Sequence, residues 1–182
     1  MPPPPRHYRQ PSEGAVTPAL GDNIRCTITN NPKPNKATLT ITKASTLISD
    51  PVNGTTNPKM IPGAIVEYAV TVTNQGTGPV DMNTVVVTDP IATSLASYVL
   101  GTAVTYSDTL GAGSPITCPY VTCVSWTKTA GGTSGFGAAL IPDAGGFDSA
   151  VTGVRIVPSG TMPAATAVGQ PSFTVRFRVR IN

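Results

Sequence analysis

The side chains able to do chemistry are few and poorly placed for it. Three cysteines, Cys26, Cys118 and Cys123, and one histidine, His7, stand in a chain of 182 residues. Cys118 and Cys123 sit in TCPYVTC with four residues between them, a spacing that suits a disulfide closing a small loop or hairpin. A metal or redox pair is the alternative. It lacks support, because no histidine or further cysteine stands nearby and zinc normally takes four ligands. Cys26 is left over, as either a buried thiol or one half of a bond to another chain. A Ser/His/Asp arrangement needs a positioned base, and His7 lies in a proline-rich tail. Asp81, Asp89, Asp108, Asp143 and Asp148 fall in segments read as turns, where a carboxylate accepts from nearby backbone N–H groups. Neither a glycosidase pair nor a dense calcium loop emerges from them. No catalytic residue, cofactor or metal is expected, and the chain reads as a non-enzyme. Arg176, Arg178 and Arg180 alternate along the last segment as a basic stripe. They read as a solvated outer face, with an acidic polysaccharide or a neighbouring subunit as the alternative contact.

Composition explains why so little chemistry is on offer and what is built instead. Apolar residues make up 40% of the chain, enough for a core, whereas charged residues are only 12%, about half of what a soluble domain carries. With 18 glycines and 19 prolines, long helices are improbable. A net charge of +3, spread along the chain, is too weak and diffuse for nucleic acid. No run approaches the ~20 apolar residues of a membrane span. The opening MPPPPRHYRQPSEG lacks the apolar centre of a signal peptide, so export would rest on a processed start or on a signal elsewhere.

Along the chain, residues 1–20 read as a proline-rich tail and residues 21–36 as a strand and linker. Ile24, Cys26 and Ile28 alternate with Arg25, Thr27 and Thr29, the period of a strand, and Pro32 and Pro34 then interrupt pairing. The domain body, residues 37–182, starts with ATLTITK, where Leu39 and Ile41 share a face. Val66, Tyr68, Val70 and Val72 alternate in the next strand. The turn NQGTGP, whose glycines accept positive φ, leads to a returning strand TVVVTD over residues 84–89. Further strands fall around residues 97–100, 122–128 and 151–157. SFTVRFRVRIN closes the chain with Phe173, Val175, Phe177, Val179 and Ile181 on one face. Residues 129–149 are too glycine-rich for a core strand and read as a long decorated loop. Seven or more strands with turn-rich connections and no helical period make an all-β sandwich.

Residues 61–95 carry a resemblance. Pro62-Gly63, the Tyr68 strand ending in Thr73-Asn74, Gly76 and Gly78, Val85 to Val87 and Asp89-Pro90 resemble a conserved repeat domain of unknown function, found in tandem in many bacterial and some archaeal surface proteins. CTITNNPKPNKATLTITK, residues 26–43, is similar to the junctions between such repeats. The resemblance implies an immunoglobulin-like sandwich on a cell surface or in an extracellular fibre, without enzymatic activity. In a tandem protein the CTITN strand would close a preceding domain, but here a proline-rich tail stands upstream. The expectation is that this strand, through Ile24, Cys26 and Ile28, enters the sandwich of a neighbouring copy and builds a pilus-like filament or surface layer. The alternative is a monomeric adhesin or carbohydrate-binding module that uses the 129–149 loop. An isopeptide between Lys43 and Asn182 assisted by Glu67 is weighed against a solvated lysine; Glu67 falls on the outward parity, which favours the solvated lysine. Asn53-Gly54-Thr55 is an acceptor sequon for glycosylation.

Overall fold

A computed structural model describes residue 21 and residues 35–100, 104–111 and 113–182. The proline-rich tail and the arm residues Ile24, Cys26 and Ile28 lie outside the described residues. Pro34–Asn182 is one compact unit. It is all-β, with several antiparallel sheets and a single helical turn among the described residues. In chain order the elements are β1 Leu39–Ser49, β2 Ile65–Asn74, β3 Val87–Pro90, β4 Ala96–Val99, β5 Thr105–Asp108, β6 Ile116–Thr117 and α1 Tyr120–Cys123. After these come β7 Val124–Thr127, β8 Phe147–Asp148, β9 Gly153–Ile156, β10 Ser159–Gly160 and β11 Ser172–Ile181.

Two sheets build the core. The larger runs β1-β2-β11-β4-β8, with β5 pairing the other half of the long β11; the smaller runs β3-β9-β7. Strand period sets which side chains go in. Val72 lies opposite Phe173, Val70 opposite Val175 and Val66 opposite Val179, and directly opposed residues share a sheet face. All six are buried. The other face carries Glu67 opposite Arg178, and Thr71 opposite Thr174 with their hydroxyls 2.8 Å apart. In the smaller sheet Val87, Ile156 and Val124 form one inward row, and Asp89, Val154 and Trp126 the next. The two sheets share one apolar cluster, in which Tyr98 of β4 meets Trp126 of β7 edge-on at 5.9 Å between centroids.

Three expectations are corrected here. The segment read as a returning strand does not pair with β2: Val87–Pro90 joins the smaller sheet against β9, so the glycine-rich connection crosses between sheets. Its Gly76 and Gly78 are not at positive φ; the one residue of that connection with positive φ is Asn83, at 61°. The glycines are there for close approach. A Cβ on Gly76 would overlap the Lys36 carbonyl and the Thr38 amide, and one on Gly78 would press on Asn35. Asp89, taken as a turn residue, instead sits within β3 on the inward parity.

The residues passing over those glycines are firmly held. Fully buried Asn74 accepts from Thr38 N–H at 3.1 Å and Gly76 N–H at 3.0 Å. Its amide donates to the carbonyls of Gly78 at 2.9 Å and Pro163 at 2.8 Å. Gln75 N–H donates to Thr38 O and Gly78 N–H to Lys36 O. The chain entering β1 is therefore clamped against the end of β2.

Candidate functional site

The larger sheet ends at β1, which pairs with β2 alone among the described residues, and the smaller ends at β3, which pairs with β9 alone. These two free edges border one seam. Along β1, Leu39, Ile41, Lys43 and Leu47 lie opposite Asn74, Val72, Val70 and Val66 and so share their inward face. The partners on β2 are buried, yet Ile41 is 60% exposed and Leu39 42%. The strand across from this edge, β3, is only four residues long against the eleven of β1. An isoleucine on the core side of a sheet is therefore left mostly exposed.

Between the edges is a cleft of about 180 Å³ lined by Ile41, Thr42, Lys43, Val70, Val87, Thr88 and Asp89. One polar contact crosses it: Lys43 Nζ donates to Asp89 Oδ1 at 2.8 Å, and the same ammonium lies 4.0 Å from the centroid of the Tyr68 ring. Asp89 is only 8% exposed, and its Oδ2 has no hydrogen-bond partner among the described residues. A buried carboxylate oxygen left without a hydrogen bond is costly, and the single contact to Lys43 offsets that cost only in part.

The remaining expected site residues are placed elsewhere. Cys118 and Cys123 are disulfide-bonded with Cα atoms 5.0 Å apart and clasp the turn α1. Next to this clasp lies a wide, open basin of about 680 Å³, bordered by Tyr106, Asp108, Ser114 and Cys118. Its polar groups bond one another: Tyr106 Oη donates to Asp108 Oδ2 at 2.9 Å and lies 3.2 Å from Ile116 O. Burial and the neighbouring Asp108 carboxylate push the Tyr106 phenol upward. Burial opposes ionisation of Asp108, but the Tyr106 hydroxyl and the Leu110 and Gly111 amides outweigh it and hold the carboxyl below its usual range. Asp50, Asp143 and Asp148 likewise accept backbone N–H groups near them.

The arginine stripe faces outward, and each guanidinium has a partner in its own chain. Arg176 donates to Ser107 Oγ at 3.2 Å, Arg178 to Glu67 Oε2 at 2.9 Å, and Arg180 lies 3.9 Å from the centroid of the Phe147 ring. Lys43, Glu67 and Asn182 keep separate company: Lys43 with Asp89, Glu67 with Arg178, and Asn182 with Ser97 Oγ and Thr93 O. The sequon asparagine Asn53 is exposed, and its amide donates to Asp50 Oδ2 at 2.9 Å. The 129–149 segment contributes the two-residue β8, whose buried Asp148 opposes Tyr98 and pairs with Lys128 at 3.0 Å. Among the described residues no three of His, Cys, Asp and Glu are grouped to hold a metal ion, and no helix is long and apolar enough to cross a membrane. No protein-family model, curated protein or solved structure matches the chain.

Proposed function

We propose that the chain is the structural subunit of an extracellular, pilus-like filament or surface layer. In this reading Pro34–Asn182 is an immunoglobulin-like sandwich one strand short, and residues 23–30 of one copy supply that strand to the β1/β3 seam of the next. The observation that carries the reading is the bare inward row of β1, with Ile41 exposed beside two unpaired strand edges. A strand laid there pairs its main chain with a free edge and sets alternate side chains over Leu39 and Ile41, the physics of strand addition. The donor's alternation of Ile24, Cys26 and Ile28 with polar residues matches what such a seam accepts.

Asn35 and Lys36 pass beside Gly78, and in this reading Pro32 and Pro34, which favour extended backbone, let the arm reach a neighbouring copy. A contact in which the arm of one copy enters the seam of the next joins two different surfaces, so it is heterologous, and where its rotation closes no ring it propagates a linear polymer. The Cys118–Cys123 disulfide suits an oxidising, extracellular setting. Removing residues 1–33 tests the reading by sedimentation. The shortened protein is expected to remain monomeric under conditions in which the intact chain polymerises, and polymerisation without the arm contradicts strand donation.

A further inference from the structure

We propose that Asn53-Gly54 is a latent deamidation site and that Asp50 is the residue that holds it closed in the folded chain. Asn53 is the one asparagine of the sequence followed by glycine. That pairing is the reactive one, because the side-chain amide is attacked by the backbone nitrogen of the next residue, and a residue without a Cβ leaves the path open. In the reaction the Gly54 nitrogen gives its proton to water or hydroxide and bonds to Asn53 Cγ, and the Cγ–Nδ2 bond breaks with loss of ammonia. Water then opens the cyclic imide to aspartate or isoaspartate, so the net change is water in and ammonia out. Asn53 is exposed, and nothing lies within 4 Å of where a Cβ on Gly54 would stand, so neighbouring side chains do not block the approach.

What blocks it is a set of bonds to one residue. Asp50 directly follows β1 and is 5% exposed. Its Oδ1 accepts from Val52 N–H at 2.7 Å and Asn53 N–H at 2.6 Å, and its Oδ2 accepts from Asn53 Nδ2 at 2.9 Å. The Gly54 N–H, whose proton must leave before the nitrogen can attack, donates to Asp50 O at 3.0 Å, and Asp50 N–H donates back to Gly54 O at 2.9 Å. The amide to be attacked and the nitrogen that attacks it are each tied to Asp50, one through its carboxylate and the other through its backbone. Cyclisation requires the amide to swing away from Oδ2 and the backbone bridge to open. Burial opposes ionisation of Asp50, but the Asn53 side-chain amide and the Asn53, Lys59 and Val52 N–H groups outweigh it and hold the carboxyl well below its usual range. The hold therefore stays charge-assisted at the neutral and alkaline pH where deamidation runs fastest. Once the reaction has occurred, a carboxylate stands at position 53 against that of Asp50 in place of a donor, and like charges keep the loop from closing again.

Deamidation rates in the intact chain test this, read by mass spectrometry of the tryptic peptide 44–59 after incubation at mildly alkaline pH. The folded protein is expected to react about tenfold or more slower than the same chain in urea, and Asp50→Ala to recover about tenfold of that protection, the factor that a hydrogen bond to a charged group is worth. Asp50→Asn keeps one acceptor oxygen and is the milder variant, expected to raise the rate by less. Asn74→Ala is the control: the bonds it removes lie at the other end of β2, outside the 50–59 loop, so it is expected to keep the unaltered rate while lowering stability. A folded rate equal to that in urea overturns the proposal, as does an Asp50→Ala or Asp50→Asn protein that folds and reacts no faster than the unaltered chain. Acceleration by Asn74→Ala as large as that by Asp50→Ala also overturns it, because the protection would then come from the fold as a whole.

Discussion

Replacing Ile41 by aspartate is expected to abolish polymerisation while leaving the fold of the monomer intact. In the single subunit this side chain is 60% exposed, so the substitution falls in the class of surface changes worth about ±0.5 kcal/mol. For a domain of this size that corresponds to a melting shift of about 2 °C or less. In the polymer the same position lies under the donated strand. Loss of an isoleucine contact forfeits ~1.5–3 kcal/mol, and a carboxylate buried there without a partner adds further cost. A combined loss of about 4 kcal/mol weakens association roughly a thousandfold. Ile28→Asp disables the donor side by the same physics. Each variant alone is expected to sediment as a monomer. A one-to-one mixture is expected to give dimers that grow no further, because the intact arm of the I41D variant enters the intact seam of the I28D variant and both ends are then blocked. Dimers in the mixture and monomers in the separate samples cannot arise from general surface stickiness. Continued polymerisation of either variant alone, or a mixture that stays monomeric, contradicts the assignment of seam and strand.

Asn74→Ala is expected to produce the largest loss of stability of any single polar substitution, about 3–5 kcal/mol, because it breaks a junction rather than a contact. Four hydrogen bonds end on this fully buried amide, and alanine leaves the Thr38 and Gly76 N–H groups and the Gly78 and Pro163 carbonyls without it. Buried groups left unsatisfied cost about 1–3 kcal/mol each, partly recovered where water enters. Equilibrium unfolding in urea reads the difference as a lower midpoint at unchanged slope. A loss below about 1 kcal/mol would mean that residues 35–38 are held by other contacts.

The strongest alternations in the sequence survive intact in the structure for a simple reason. β11 and β2 are central strands with one face on the core and one on solvent, so Phe173, Val175, Phe177 and Val179 alternate with residues that must stay wet. Val85, Val86 and Val87 defeat pairing by sequence alone. Their alternate burial follows the strand period, but the pattern is the same whether the partner is β2 or β9. Sequence neighbours often pair, and here the connection crosses to the other sheet. The short β5, β6, β8 and β10 exist because longer strands or loops impose them, and two to four residues carry no period of their own.

The seam was half legible for a related reason. Leu39 and Ile41 share a face in the sequence pattern, and the structure places that face inward. Periodicity states which way a side chain points, not whether a layer lies across from it, and the strand across the cleft, β3, is only four residues long. Asp89 followed the inward parity of Val85 and Val87 all along, and an ionisable residue on a buried parity was the available signal for the Lys43–Asp89 pair. Proximity of aspartate to proline drew it into a turn instead. Glycine misleads in the same way, since Gly76 and Gly78 serve the passage of Lys36 to Thr38 rather than a tight reversal.

The most direct measurement is negative-stain electron microscopy of the concentrated intact chain, paired with sedimentation of the same sample. Strand donation into the β1/β3 seam predicts unbranched filaments of one subunit repeated head to tail, with a mass distribution extending far above 18.6 kDa. Uniform particles of monomer mass at every concentration would contradict it, and would leave the exposed Ile41 row without the occupant proposed for it.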